Sequence, residues 1–271
     1  MHMALLVFSF FILGSVVGSF LNVVILRHNT GHTLLGRSAC LSCGRTLSWS
    51  DMVPVLSFLV LRGRCRHCES SISLQYPLVE GATAALFAGV PMLIPVSLTA
   101  PVILEILFML TVLSLLIIIG VYDIRHTIIP DIPATLLILL SLGQLFFSSG
   151  EFMIPMLPAL LAGPAAALPL AFLWLVSRGK WMGFGDAKLA LGLGWFLGLS
   201  GALSMLIFSF WIGAFVSVLL MLFARVVHDA QLFGGVRRLT MKSEVAFGPF
   251  LITAFLLVLF FGLDITMLLT R

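Results

Sequence analysis

The chain has 271 residues, of which 61% are hydrophobic and only 10% charged, whereas an ordinary soluble domain is about 25% charged. So thin a polar coat cannot cover a globular core of this length, which excludes a soluble domain and makes lipid the solvent for most of the chain. The net charge of +4 is scattered over several short loops instead of one basic stripe, which argues against nucleic acid as a partner.

Eight apolar runs are predicted as helices, at 4–26, 78–98, 101–122, 131–147, 152–176, 186–199, 201–224 and 247–269. The first follows Met1-His2-Met3 with no positive flank and ends at Arg27. It is too long and wrongly flanked for a cleavable signal and is expected to be a retained transmembrane helix. Gly14/Gly18 and Gly194/Gly198 have the spacing that lets membrane helices approach closely.

After the first helix comes the one sizeable polar segment, 27–77, which holds all four cysteines as Cys40-x-x-Cys43 and Cys65-x-x-Cys68. Two such pairs can present four thiolates tetrahedrally to a structural zinc ion. A loop this short has little core of its own, and a metal would supply folding energy. Disulfides are the alternative, disfavoured if the loop faces a reducing compartment. His67 could replace one thiolate but is expected to be a bystander.

With eight helices, the segments 27–77, 123–130, 177–188 and 225–246 fall on one side. They carry 14 of the 15 lysines and arginines, and only Arg271 falls opposite. The positive-inside rule makes that side cytoplasmic and both termini external. The expected architecture is an all-α polytopic membrane protein. It comprises a first transmembrane helix (1–26), a cytoplasmic zinc-binding loop with four cysteine ligands (27–77) and a seven-helix membrane domain (78–271).

Of the eleven acidic residues, Asp51, Glu69, Glu151, Asp229, Glu244 and Asp264 are read as solvated. Glu80 lies inside YPLVEG and could contact a substrate, the site or a helix partner; Glu105 has no reading beyond an interfacial position. Asp123 and Asp186 stand directly against apolar segments, one at the end of the third helix and the other at the start of the sixth. A carboxylate at the lip of a bilayer is costly and rarely without a role, and the charge count puts both on the cytoplasmic side. Two adjacent carboxylates share a proton, so one can activate water while the other polarises a peptide carbonyl. Gly183 and Gly185 would leave room beside Asp186 for an extended substrate backbone, and Asp131, after Ile129-Pro130, could cap the next helix. Singly, each aspartate has a plainer reading: Asp123 as an ion pair with Arg125 or Lys188, Asp186 as a charge favoured at a helix N-terminus. From another class, a proton-coupled transporter would also keep membrane carboxylates, but near the midplane and in repeated broken helices. Neither feature is visible.

GSFLNVVILR at 18–27, the two CxxC pairs, LRGRCRHC at 61–68, YPLVE at 76–80, the string from Asp123 to Ile129-Pro130-Asp131 and GFGDAK at 183–188 occur together in this order. In these the chain resembles the bacterial type IV prepilin peptidases, GxGD-type membrane aspartic proteases. It departs from their pattern in lacking a proline after Cys40 and another after the first helix. The resemblance implies an inner-membrane, multi-pass endopeptidase with Asp123 and Asp186 as its catalytic pair and Asp131 in a structural role. The implied substrates are type IV prepilins or type II secretion pseudopilins, cleaved after a short basic leader. It further implies N-methylation of the new terminus from S-adenosylmethionine. No glycine-rich strand–turn–helix for a methyl donor is visible, and the residues that would bind one remain unassigned.

Overall fold

The computed structural model describes residues 2–28, 36, 38–40, 42–97, 99–148, 151–152, 156–229 and 246–265. The chain is a helical, multi-pass membrane protein. Its helices are α1 (His2–Arg27), the short α2 (Leu56–Val60), α3 (Gln75–Leu93), α4 (Ala100–His126), α5 (Asp131–Gln144), α6 (Leu157–Ser177), α7 (Phe184–Asp229) and α8 (Gly248–Phe261). A two-residue antiparallel pair, β1 (Phe147–Ser148) and β2 (Glu151–Phe152), joins α5 to α6. Two compact units divide the chain, Met1–Val121 and Tyr122–Arg271.

All eight expected apolar runs fall on helix, two of them within α7. Five described helices are long and apolar enough to cross a membrane. The last, Phe184–Leu222, has 39 residues, about 58 Å at 1.5 Å per residue, twice a hydrocarbon core of about 30 Å. Gly198, at φ 75° and ψ 174°, breaks it, so the runs 186–199 and 201–224 are separate helices end to end. α5 and α8, of 14 residues each, are shorter than a full span. α8 ends at Phe261, where Gly262 adopts φ 60° as its cap, and the expected end of the last run, 266–269, lies outside the described residues. Asp264 then accepts hydrogen bonds from Ser200 and, at 3.2 Å, from Ser204. Asp264 is therefore a clasp between helix ends and not a solvated charge. The side chains of Glu151, Asp229 and Glu244 lie outside the described residues, as do 230–245.

In the first unit α1 lies directly against α3, and the first glycine pair explains why. A Cβ at Gly14 would stand 2.7 Å from the Ala84 Cα, and one at Gly18 would stand 2.8 Å from the Glu80 Cα. Lipid supplies no hydrophobic drive for helix pairing, so such backbone contact is the source of attraction. Leu21, Ile25, Val79 and Ile118 close the seam below it.

In the second unit α7 packs on α6, α5 and α8. A Cβ at Gly194 would stand 2.7 Å from the Ala162 carbonyl oxygen, so this glycine serves close packing while Gly198 serves the kink. Pro164, inside α6, has no N–H to give the Leu160 carbonyl. Trp195 Nε1–H of α7 donates to that oxygen at 2.9 Å, and its indole fills the space over Gly163. A helix irregularity thereby becomes an interhelical bond.

Candidate active site and metal centre

The carboxylates of the second unit meet where helices begin and end. α4 stops just past Asp123: Thr127 turns into the left-handed region at φ 53° and gives its N–H to the Asp123 carbonyl at 2.7 Å. Asp186 lies in the first turn of α7, where the Gly183 N–H reaches its carboxylate. Asp123 is 3% exposed and Asp186 6%, and their charges act on each other. The arrangement is one buried carboxylate pair, not two isolated charges.

The surroundings revise three expectations. The space beside Gly185 belongs to Ile129, whose Cβ would be 2.9 Å from a Cβ at that position; only Gly183 keeps room next to the Asp186 carboxylate. Asp131 does not cap α5. Pro130 holds the N-cap position, and Asp131, the first helical residue, forms an ion pair with Lys188 at 2.7 Å. Lys188 thus ties α5 to α7, and its ion pair is with Asp131 rather than with Asp123.

A residue missed in the sequence completes the site. The Gly248 N–H, at the start of α8, donates to Asp123 Oδ2 at 3.0 Å. It is one of the N-terminal amides that a helix leaves without an internal partner. A Cβ there would lie 2.6 Å from that oxygen, so any larger residue would displace the carboxylate. The available signal is Gly-Pro opening the last apolar run, a favoured helix start.

The cysteines come together in the first unit, between α1 and α3. One turn is made twice: Cys40 N–H bonds to the Arg45 carbonyl and Gly44 N–H to the Cys40 carbonyl, both at 2.9 Å. Cys65 repeats this with Ser70 at 2.9 Å and Glu69 at 3.0 Å. Gly44 and Glu69, at φ 69° and 56°, hold the same left-handed position. The four sulfur atoms lie within 4.8 Å of one another, and Cys40 Sγ to Cys68 Sγ is 3.7 Å. A tetrahedral site with bonds of about 2.3 Å has edges of about 3.8 Å, so the donor set fits a metal ion.

The thiols are electrically mismatched by themselves. Backbone N–H groups of Cys43 and Ser42 pull Cys40 down to about 6. Against the pull of the Arg45 N–H, desolvation and the thiols of Cys40 and Cys68 push Cys43 up to about 11. Four adjacent thiolates require a cation. His67 is outside the cluster, 3.3 Å from Arg45. Asp51, expected to be solvated, is instead half-buried and ion-paired with Arg66 at 2.8 Å.

Comparison with known proteins follows the same division. Residues 12–94 match the bacterial peptidase A24 N-terminal domain, and residues 110–218 match the type IV leader peptidase family. A prepilin leader peptidase/N-methyltransferase of Pectobacterium carotovorum is 32% identical over 89% of this chain and 88% of its own length. The chain belongs to the type IV leader peptidase family. Another relative of that name, from Bacillus subtilis, is 33% identical over 75% of the chain and 79% of its own. The one from Myxococcus xanthus is 34% identical over 78% of the chain, which spans only 62% of that longer protein. No solved structure matches the chain. The leader-peptidase match contains both Asp123 and Asp186, and the N-terminal match contains all four cysteines, whereas Gly248 lies beyond either.

Proposed function

We propose that this member of the leader peptidase family is an aspartic endopeptidase of the bacterial inner membrane. It removes the basic leader of prepilins or pseudopilins at the cytoplasmic face and N-methylates the new terminus. The observation that carries the peptidase reading is the buried pair Asp123 and Asp186, each at a helix end and each within the family match. One proton shared between them leaves an ionised carboxylate to take a proton from water, while the protonated partner donates to the scissile carbonyl. As the amide breaks, the proton taken from water passes to the leaving nitrogen. Gly248 holds Asp123 by one oxygen and leaves the other for this chemistry. The cytoplasmic placement rests on the 14 basic residues of the loops on that side. The relatives bear peptidase names, and transport has no support from them.

Within this reading 1–26 is a membrane anchor, 27–77 the metal loop and 78–271 the peptidase domain. The loop metal is zinc, held by Cys40, Cys43, Cys65 and Cys68, with a structural role. Serine at both Cys43 and Cys68 is expected to abolish stoichiometric zinc in purified protein by elemental analysis and to make the loop sensitive to protease. Full zinc occupancy in that variant would overturn the assignment.

The function is tested by incubating purified protein with a synthetic prepilin, with and without S-adenosylmethionine, and weighing the products. Loss of the leader alone without the cofactor, and a mature peptide heavier by one methyl group with it, are the expected results. An intact peptide in both would sink the reading.

A further inference from the structure

One buried acid is not used by the cleavage chemistry proposed above. Glu80, in the first unit, is 7% exposed. Among the described residues no lysine, arginine or histidine forms an ion pair with it. Its carboxylate accepts from the Val55 N–H at 2.7 Å and from Ser19, which leaves acceptor capacity on its oxygens. A charge kept at this depth calls for a cation.

The residue bonded to Glu80 is itself strained. Val55 has φ 60° and ψ −48°, and Leu56 N–H bonds back to the Pro54 carbonyl at 2.6 Å. That is a γ-turn of the rare and costly hand, centred on a β-branched residue. Such strain persists where the surroundings over-determine it and clusters at ligand clamps.

Glu80 and Ser19 line a cavity of about 740 Å³ bounded by α1, α2, α3 and the cysteine loop. This is the size of a cofactor pocket. Phe58 and Tyr76 also line it, and on the side of the metal loop so do Cys40 and Cys65. Beside it, the buried Asn22 of α1 donates to the Tyr76 carbonyl at 3.2 Å and accepts from Gln75 at 3.3 Å, which ties the start of α3 to α1.

We propose that this cavity is the methyl-donor site, with Glu80 facing the sulfonium of S-adenosylmethionine. The proposal rests on the N-methyltransferase reading above. The donor's chemistry matches the walls: a cationic sulfur for Glu80 and a purine for an aromatic side chain. Glu80 is then a binding residue for the donor.

The test is binding, measured by titration calorimetry on the full-length detergent-solubilised chain, with S-adenosylmethionine and S-adenosylhomocysteine as the two probes. The second has the same shape but a neutral sulfur, so it does not feel the charge at position 80. Glu80→Gln keeps an acceptor for the Val55 N–H and is expected to weaken the sulfonium ligand roughly tenfold while changing the neutral one less than about twofold. Ser57→Phe, which puts bulk into the cavity from α2, should weaken both together. Prepilin cleavage by the same samples reports folding. Equal loss of both ligands, or of neither, in cleavage-competent Glu80→Gln protein would overturn the proposal, as would unchanged binding in Ser57→Phe. A wild-type chain that cleaves prepilin but binds neither ligand would overturn the methyl-transfer reading itself and this site with it. Selective loss of affinity for a mature-pilin amino terminus in Glu80→Gln, with donor binding intact, would assign the charge to the acceptor amine and likewise end the proposal.

Discussion

Asparagine at Asp123 or at Asp186 is expected to reduce prepilin cleavage roughly 10³-fold or more, since each member supplies a proton transfer the other cannot replace. Asparagine nearly preserves shape, so protein yield and thermal stability should stay close to wild type. The double variant should be no worse than either single one, because groups that act as a unit are lost as a unit. Independent, multiplying losses would mean that the two carboxylates do not share one proton, despite their charges acting on each other. Wild-type turnover in well-folded Asp186→Asn protein would remove the assignment altogether.

Gly248→Ala is the second large effect, and it separates the site from the fold. The new methyl would stand 2.6 Å from Asp123 Oδ2, with Ile129 Cδ1 next at 3.4 Å. The carboxylate is the end of a side chain and can yield without moving a helix; it does so by leaving its bond to the Gly248 N–H. A displacement of about 1 Å at a catalytic group can cost about 100-fold in rate. The expected result is a fall of that order in kcat, with KM for the prepilin and thermal stability little changed. A variant as active as wild type would show that the Gly248–Asp123 bond is not part of the working geometry. A variant that simply fails to fold would show that α8 requires glycine for packing instead.

Much of this molecule is legible without its fold, for local reasons. Eight apolar runs become helices because lipid forces every backbone amide to be satisfied within its own segment. The cysteines announce their cluster by spacing, since each CxxC is one turn and two turns suffice for four ligands. Asp123 and Asp186 stand out because an acid against an apolar run is expensive wherever the chain goes. Partnership is less legible. In sequence Lys188 is a candidate partner for Asp123, but it pairs with Asp131, because α5 and α7 lie side by side, which no spacing along the chain records. Asp51 and Asp264 read as solvated charges along the chain, yet Arg66, Ser200 and Ser204 lie against them in the fold. Gly185 reads as space for a substrate, and Ile129 fills it.

By itself, then, the sequence determined the solvent, the helices, the four cysteines that cluster and the two acids that are buried together at helix ends. Each of these follows from composition or from the period of one segment, and costs that arise within a segment are written within it. Tertiary structure alone decided that Gly248 holds Asp123, that α1 and α3 meet backbone to backbone at Gly14 and Gly18, and that Trp195 satisfies the carbonyl left open by Pro164. It also decided that Glu80 opens onto a cavity. These depend on which helix ends coincide in space, and that is set by the packing of whole helices rather than by the preferences of any one of them.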